Sequence, residues 1–253
     1  MPLPGLSILC LAYNEEENLR WALPQLLALA ARITEDYEIV VVAHPQSADG
    51  TNAYLKESSA LDGRVRPVEQ PDGTRGYGPA FAYGLTQLRK EFAFHTDIDG
   101  QFVFSDLLRA VEIQNKTNAD LVHFNRHRRK DPWERKIIGL GFKILVHSFY
   151  ECPVWDFDSA FNLFRTRFLK EMNLRSNSGM AVPEFLIRMG KMGAKVVVGK
   201  TEHQPRRAGK PAWEVKAPAG GIILPDFGIV KANLHDIWTQ RKALGWRFFG
   251  LTG

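Results

Sequence analysis

Leu6-Ser7-Ile8-Leu9-Cys10-Leu11, followed by Ala12-Tyr13-Asn14-Glu15-Glu16-Glu17, is the stretch from which the architecture is read. Six apolar or small residues in a row have the length of a buried strand. Asn14 then supplies a helix cap and Glu15–Glu17 an acidic first turn, opening a helix that runs to about Ala31. The succession repeats. Glu38–Val42 is a β-branched strand, Asp49-Gly50-Thr51 a turn and cap, Asn52–Leu61 a short helix, and Val65–Val68 a further strand. After a Gly/Pro-containing loop, Pro71–Pro79, come a helix over Ala80–Lys90 and a strand over Glu91–Thr96 that ends on Asp97-Ile98-Asp99-Gly100-Gln101. Strands alternating with helices in this way predict an α/β fold with a mostly parallel, Rossmann-like sheet flanked by helices.

The pattern continues with a helix from Ser105-Asp106 to about Asn115, a strand over Asp120–Asn125 and a long helix over Pro132–Tyr150. Val154–Phe164 reads as strand, Ala181–Met192 as helix and Ala194–Val198 as strand, before a basic loop over Glu202–Lys210. Residues 1–211 are expected to form one domain and residues 212–253 a C-terminal tail with a single helix near Ile229–Leu244. There is no internal repeat. With 45% hydrophobic residues in 253, the chain can bury a substantial core.

Lys and Arg total 33 against 28 Asp and Glu, a net charge of +5 that suits phosphate, anionic lipid or nucleic acid equally. Nucleic acid is not expected as a partner, because the basic residues sit in separate loops without a recognised motif. Cys10 and Cys152 are too few for a disulfide scaffold and fit a reducing compartment. No basic n-region precedes the first apolar run, and no stretch reaches the roughly 20 apolar residues that span a bilayer. The expectation is a cytoplasmic protein, peripheral at the inner face of a membrane if a membrane is involved.

Asp97 and Asp99 at a strand end, with Gln101 on the same alternating side, bring two carboxylates and an amide oxygen within reach of one hard cation, Mg²⁺ or Mn²⁺. An Asp-rich turn is the alternative. Function in open α/β sheets gathers at the carboxyl ends of strands, which favours the cation. Asn14 and Glu15 are either plain caps or, at a helix N-terminus suited to phosphate, contacts for a nucleoside. Arg75-Gly76-Tyr77-Gly78-Pro79-Ala80 either lets backbone approach a nucleotide or is an ordinary loop.

Together these segments resemble glycosyltransferase family 2 (GT-A type), and within it most closely the dolichyl- or polyprenyl-phosphate sugar synthases, from about Leu6 to Pro211. Ala12-Tyr13-Asn14-Glu15 is similar to the opening motif of that group, and Asp97-Ile98-Asp99-Gly100-Gln101 to its metal motif. Asp156-x-x-Ser159-Ala160-Phe161 resembles its Asp-x-x-Ser-Gly-Phe segment. Pro183-Glu184-x-Leu186, Gly193 and His203-x-Pro205-Arg206-Arg207-x-Gly209-Lys210 resemble its closing helix, strand and Arg-x-x-Gly loop. The resemblance implies a metal-dependent inverting hexosyltransferase with a nucleoside diphosphate sugar as donor. It implies that Asp97, Asp99 and Gln101 hold the metal, that Tyr13, Asn14, Glu15, Arg75 and Gly76 line the donor, and that Arg206 lies over the diphosphate.

One departure bears on the donor. Where relatives read Asp-Asp-Gly-Ser-x-Asp-Gly-Thr after the second strand, this chain has Ala43-His44-Pro45-Gln46-Ser47-Ala48-Asp49-Gly50-Thr51, without the acidic pair and one residue longer. Either the base is contacted differently or the copy is a non-catalytic binder of nucleotide sugars.

On the acceptor side, the helix Trp133–Tyr150 carries Trp133, Ile137, Leu140, Ile144 and Ile138, Phe142, Leu145, Phe149 over a wide arc, leaving Lys136, Lys143 and His147 as a narrow cationic stripe. That suits an interfacial helix or a buried core helix; Arg126, Arg128, Arg129 and Lys130 beside it favour an anionic lipid surface. A polyprenyl-phosphate acceptor needs no general base, and Arg126 and Arg135 are the candidates to orient it. A soluble or glycan hydroxyl acceptor needs a carboxylate base, for which Asp158 and Glu184 are the candidates.

Overall fold

Strand β1 (Leu6–Ala12) pairs in parallel with β2 (Tyr37–Ala43) on one side and β4 (Phe92–His95) on the other in the computed structural model of the protein. β3 (Val65–Glu69) extends the sheet beyond β2, also in parallel. The chain therefore steps outward from β1 to β3, then crosses back to lay down β4 on the far side of β1. Beyond β4 lie β6 (Asn162–Arg165), β5 (Leu121–His127) and β7 (Val196–Glu202), giving the order β3-β2-β1-β4-β6-β5-β7. β6 alone runs antiparallel to its neighbours β4 and β5, so the sheet is mixed with one reversed strand. The structure describes residues 2–71, 73, 74, 76–128, 130, 133–209, 226–245, 247, 248, 251 and 252, with backbone alone at 134, 135, 247, 248, 251 and 252.

Helices cover both faces. On one, α1 (Glu16–Ile33), α2 (Thr51–Leu61) and α4 (Asp106–Thr117) pack Leu19, Leu23, Leu26, Leu55 and Leu107 against Leu6, Ile8 and Cys10 of β1. On the other, α3 (Tyr77–Thr86), α5 (Trp133–Phe149), α6 (Ala181–Lys191) and α7 (Phe227–Leu244) bring Phe81, Val146, Phe185 and Ile237 against Leu9, Val40 and Val42. A sheet buried on both sides needs strands that are apolar on both faces, which is why β1 and β2 read as near-continuous apolar runs rather than alternating ones, broken only by Ser7 and Glu38, which bond each other at 2.6 Å. Each such Leu, Ile or Phe contributes roughly 1.5–3 kcal/mol on burial. A short antiparallel pair, β8 (Arg247–Phe248) and β9 (Leu251–Thr252), follows α7.

α7 is anchored by polar contacts. Asp236 accepts hydrogen bonds from the backbone N–H of Asn177 (2.9 Å) and Ser178 (3.0 Å) and from the Ser178 hydroxyl (2.6 Å), and the Tyr150 hydroxyl donates to the Ile237 carbonyl. Among the described residues no helix is long and apolar enough to cross a membrane.

Two segments differ from the sequence expectation. Val154–Phe164 is mostly loop: the Ser159 N–H donates to the Asp156 carbonyl in a turn and its hydroxyl to the Phe124 carbonyl, and strand begins only at Asn162. α3 begins at Tyr77, three residues before Ala80, because Gly76 with φ 94° turns the chain sharply into it. Gly78 then lies against loop backbone, where a Cβ would sit 2.6 Å from the Ser176 carbonyl oxygen. Gly84 does the same against the sheet: a Cβ there would lie 2.6 Å from Leu9 Cδ1 and 2.9 Å from Val42 Cγ2. Gly84→Val is therefore expected to cost about 1–3 kcal/mol, since neither neighbour can yield without moving sheet residues. The measurement is the urea midpoint at unchanged m value; an unaltered midpoint would show that α3 does not rest on β1 and β2 in solution.

Candidate active site

The strand order turns back at β1, with β2 and β3 on one side and β4 on the other, and this opens a crevice at the carboxyl ends of the strands, the expected ligand position in an open α/β sheet. A cleft of about 500 Å³ occupies it. The β1 end supplies Tyr13 and Glu15, the β2 end His44 and Gln46, the β3 end Gln70, the start of α3 Gly76 and Tyr77, and the β4 end Asp97, Asp99 and Gln101. Arg206, from the loop after β7, closes it.

The floor is crowded with negative charge. Burial, then the neighbouring Asp99 carboxylate, push Asp97 up to about 7, with Glu15 adding to the rise and Arg126 and Arg206 opposing it. Asp99 accepts the Gln101 backbone N–H at 3.0 Å and pairs with Arg206 at 2.9 Å. Arg206 also binds Glu15, so one guanidinium bridges carboxylates from the β1 and β4 ends. A carboxylate destabilised by burial and a like neighbour gains from a divalent cation, and two acids with an amide oxygen are the donors Mg²⁺ and Mn²⁺ take. The residues fit such an ion. Among the described residues no cluster of three His, Cys, Asp or Glu side chains forms a site by protein alone, so Gln101 and ligand oxygens would complete the shell.

Asn14 is not the cap of α1. It adopts φ 54°, its side-chain oxygen accepts the Ala48 N–H at 2.7 Å, and its own N–H donates to the Ser47 hydroxyl at 3.3 Å. It thereby ties the β1 end to the loop after β2. The Glu15 N–H donates to the Thr51 hydroxyl at 2.8 Å, aiming its carboxylate at the cleft. Arg75 lies outside the described residues, and so does the side chain of Arg135.

Beside the cleft is a buried ionic hub. Asp156 accepts from the Arg126 backbone N–H (2.9 Å), from two nitrogens of its guanidinium (2.9 and 2.8 Å), and from the Lys143 ammonium. Burial works against the Asp156 charge, but Arg126 and Lys143 overcome it and hold the carboxyl well below its usual range. Arg126 is thus fixed by Asp156, with Asp158 at 3.6 Å. Asp158 remains partly exposed and lies near enough to Tyr77 to raise its hydroxyl pKa, behind the larger effects of burial and Asp97. Glu184, offered above as a base, has another task. It is fully buried, accepts the N–H groups of Arg175 and Ser176 and pairs with Arg188 at 2.8 Å, outside the cleft lining.

The hub also splits the cationic stripe of α5, since Lys136 stays exposed. Lys143 faces inward to Asp156 and His147 stacks on Trp155, with ring centroids 4.7 Å apart, while the apolar stripe faces out. Trp133, Ile137, Leu140 and Ile144 are exposed at 62%, 60%, 48% and 54%. Gln70 and His95 escaped the sequence reading altogether: Gln70 sits one residue past β3, and His95 is an apolar-looking strand position under the cleft. Nothing in their local pattern marks them.

Asp156→Asn is expected to cost about 3–5 kcal/mol at neutral pH, because two buried cations lose their counter-charge. The sign with pH follows from the lowered carboxyl: its stabilisation is complete above the unfolded value near ~3.9 and is lost as pH falls through the folded one. Denaturant titrations of both proteins should show the gap narrowing below about pH 4. A gap constant down to strongly acid pH would remove the carboxylate charge as its source.

The sequence profile described as Glycosyl transferase family 2 matches residues 7–185. The chain is 23% identical over 180 residues to an undecaprenyl-phosphate 4-deoxy-4-formamido-L-arabinose transferase of Serratia proteamaculans, covering 68% of this chain and 52% of the relative. It is 22% identical over 246 residues to a low-salt glycan biosynthesis hexosyltransferase of Haloferax volcanii, covering 89% and 57%. The chain thus spans little more than half the length of these curated relatives. Its fold is similar to glucosyl-3-phosphoglycerate synthase of Mycobacterium tuberculosis in complex with Mn²⁺, uridine diphosphate and phosphoglyceric acid, with TM-score 0.65, 14% identity and coverage of 98% and 81%. It is also similar to a mannosyltransferase of Pyrobaculum calidifontis in complex with GDP-mannose and Mn²⁺, with TM-score 0.58, 17% identity and coverage of 79% and 56%. The architecture is therefore the GT-A fold, and since the matched profile covers most of the chain, including β1 to β4 at the cleft, the chain belongs to glycosyl transferase family 2.

Proposed function

We propose that the protein is a divalent-cation-dependent, inverting glycosyltransferase that moves a sugar from a nucleoside diphosphate sugar to a polyprenyl-phosphate-type lipid at a membrane surface. The observation that carries the donor half is the convergence of Asp97, Asp99, Glu15 and Arg206 at the switch point of the sheet. Relatives named as undecaprenyl-phosphate sugar transferases, and structures of the same fold holding GDP-mannose or uridine diphosphate with Mn²⁺, support it.

In this reading a phosphate oxygen of the acceptor donates its electron pair to the anomeric carbon from the face opposite the leaving group. The bond from that carbon to the diphosphate breaks, its electron pair departs on the nucleoside diphosphate, and the configuration inverts in one displacement. A phosphate nucleophile is already ionised, so no general base is needed. Arg206 places positive charge where the leaving diphosphate gathers negative charge, the interaction that lowers the barrier most in such sites. Asp97, Asp99 and Gln101 would hold Mg²⁺ or Mn²⁺, which would supply Lewis-acid charge for the departure of the diphosphate. Arg126, locked by Asp156, keeps positive potential on the acceptor side. A hydroxyl acceptor would be served by Asp158, the partly exposed carboxylate beside Arg126.

The outward stripe Trp133, Ile137, Leu140 and Ile144, with exposed Trp155 nearby and the exposed cations Arg128, Lys130 and Lys136 on and before α5, fits the interface of an anionic bilayer. This makes the protein peripheral on the membrane.

Asp99→Ala should remove at least tenfold of the affinity for nucleoside diphosphates in the presence of Mn²⁺ and abolish transfer, with the fold kept. Thermal shift with and without Mn²⁺ measures this, as bound ligand raises stability with occupancy. Undiminished Mn²⁺-dependent stabilisation in the variant would overturn the metal assignment. A second expectation concerns the surface: the protein should sediment with vesicles containing anionic lipid at low salt, be released partly as salt rises, and bind far less as Ile137→Asp/Ile144→Asp. Equal sedimentation of wild type and variant would exclude α5 as the docking face.

A further inference from the structure

Tyr77 opens α3 on the wall of the cleft, and its hydroxyl lies 3.2 Å from Nε2 of His95. His95 is the last residue of β4, fully buried and packed on Phe81 with ring centroids 4.6 Å apart. Its other ring nitrogen, Nδ1, is buried and meets no hydrogen-bond partner. The direction of the Tyr77–His95 bond follows from these facts. A neutral imidazole carries one proton. If it sat on Nδ1, a buried N–H would be stranded, the rarest and costliest defect in a folded protein. Placed on Nε2, it is used: Nε2–H donates to the Tyr77 oxygen, and Nδ1 keeps only an unfilled lone pair.

With its oxygen accepting from His95, the tyrosine must turn its own hydrogen elsewhere. The charges that reach that hydroxyl are, in order, those of Asp97, Asp158 and Asp99, of which Asp97 and Asp99 line the cleft. Their field draws the hydrogen toward the cleft. Apart from Arg206 and the Gln101 amide, the polar side chains of the floor are the carboxyl groups of Glu15, Asp97 and Asp99, which accept when ionised.

We infer that Tyr77, oriented by His95, is a sugar-reading residue that donates a hydrogen bond from its hydroxyl to a hydroxyl oxygen of the transferred sugar. A sugar hydroxyl both donates and accepts: ionised carboxylates take its hydrogen, while the Arg206 guanidinium is already engaged by Glu15 and Asp99. Tyr77 adds a neutral donor on the cleft wall. This rests on the donor-site reading of the cleft.

The test is Tyr77→Phe, which keeps the ring and its stacking on Phe81 and removes only the hydroxyl. Calorimetric titration with Mn²⁺ compares UDP and GDP with UDP-glucose and GDP-mannose. The expected result is unchanged affinity for the free diphosphates and about 3- to 10-fold weaker binding of the sugar-bearing ligand that the wild type prefers, the worth of one neutral hydrogen bond. Loss of affinity for diphosphate and sugar nucleotide alike would overturn the proposal and make Tyr77 a support of the acidic floor. No loss for either would overturn it as well. Nitrogen-15 spectra of His95 in the free protein test the orientation separately: Nε2 should carry the proton, and a proton on Nδ1 would overturn the argument. If the wild type bound none of these ligands, the donor reading itself would fall, an outcome that the His95 spectrum distinguishes from a wrong tautomer.

Discussion

The Arg206 guanidinium holding Glu15 and Asp99 together is the contact around which the site is organised. The three residues come from the loop after β7, the start of α1 and the end of β4, so one cation joins segments separated by 191 and 107 positions. Without it, Glu15, Asp97 and Asp99 would face one another in a confined crevice, and mutual repulsion would spread the strand ends. A surface ion pair is worth little, but this one is largely withdrawn from solvent and bridges two acids, which makes it geometrically specific. The same charge balance gives the site its chemistry. A crevice that needs positive charge to stay closed is one where a cation and a diphosphate can enter together, bringing charges of both signs.

Asp156 plays the matching part beside the cleft. Its carboxylate gathers Arg126 from β5 and Lys143 from α5 into one buried cluster. α5 packs inward through Val146, with Phe142, Leu145 and Phe149 against the same core. Lys143 turns in at the edge of that face, and Trp133, Ile137, Leu140 and Ile144, which recur every three or four residues, are left on the outside. The helix is therefore apolar on its outer face as well as its inner one, with a buried ion pair between them.

What the sequence could and could not reveal divides along the same line. β1, β2 and the helices between them were legible because a two-sided core demands uninterrupted apolar strands and capped amphipathic helices, both local patterns. The carboxylates at the end of β4 were legible from their spacing and their place after a strand. The stretch Val154–Phe164 was misread as strand because its apolar residues pack from a loop, whose shape is set by Asp156 reaching Arg126 and Lys143, partners 30 and 13 positions away. Asn14 looked like a cap because Asn usually is one there; that it reaches instead to Ala48 depends on β1 and β2 being neighbours. Glu184 looked available for catalysis because burial cannot be seen in a motif. His95 was hidden as a polar side chain in a strand that reads as core, and Lys143, visible in the cationic stripe, gave no sign of its inward partner Asp156, 13 positions away.

Depth in the cleft separates what the fold fixes from what this chain varies. The floor is ionic: Asp97, Asp99, Glu15 and Arg206 suit a diphosphate whatever is attached to it. Toward the β2 and β3 ends the lining is uncharged, with Tyr13 edge-on to His44 at 5.0 Å and the side chains of Gln46 and Gln70 beyond. An aromatic pair offers a stacking surface to any base, and an amide offers a donor and an acceptor together, where a carboxylate offers acceptors only. Guanine presents two adjacent N–H donors and gains most from a carboxylate; uracil alternates acceptor and donor and is matched by an amide. In the donor reading proposed above, the absence of an acidic pair after β2 leaves these neutral groups to meet the base, an arrangement that favours bases whose edge carries both a donor and an acceptor.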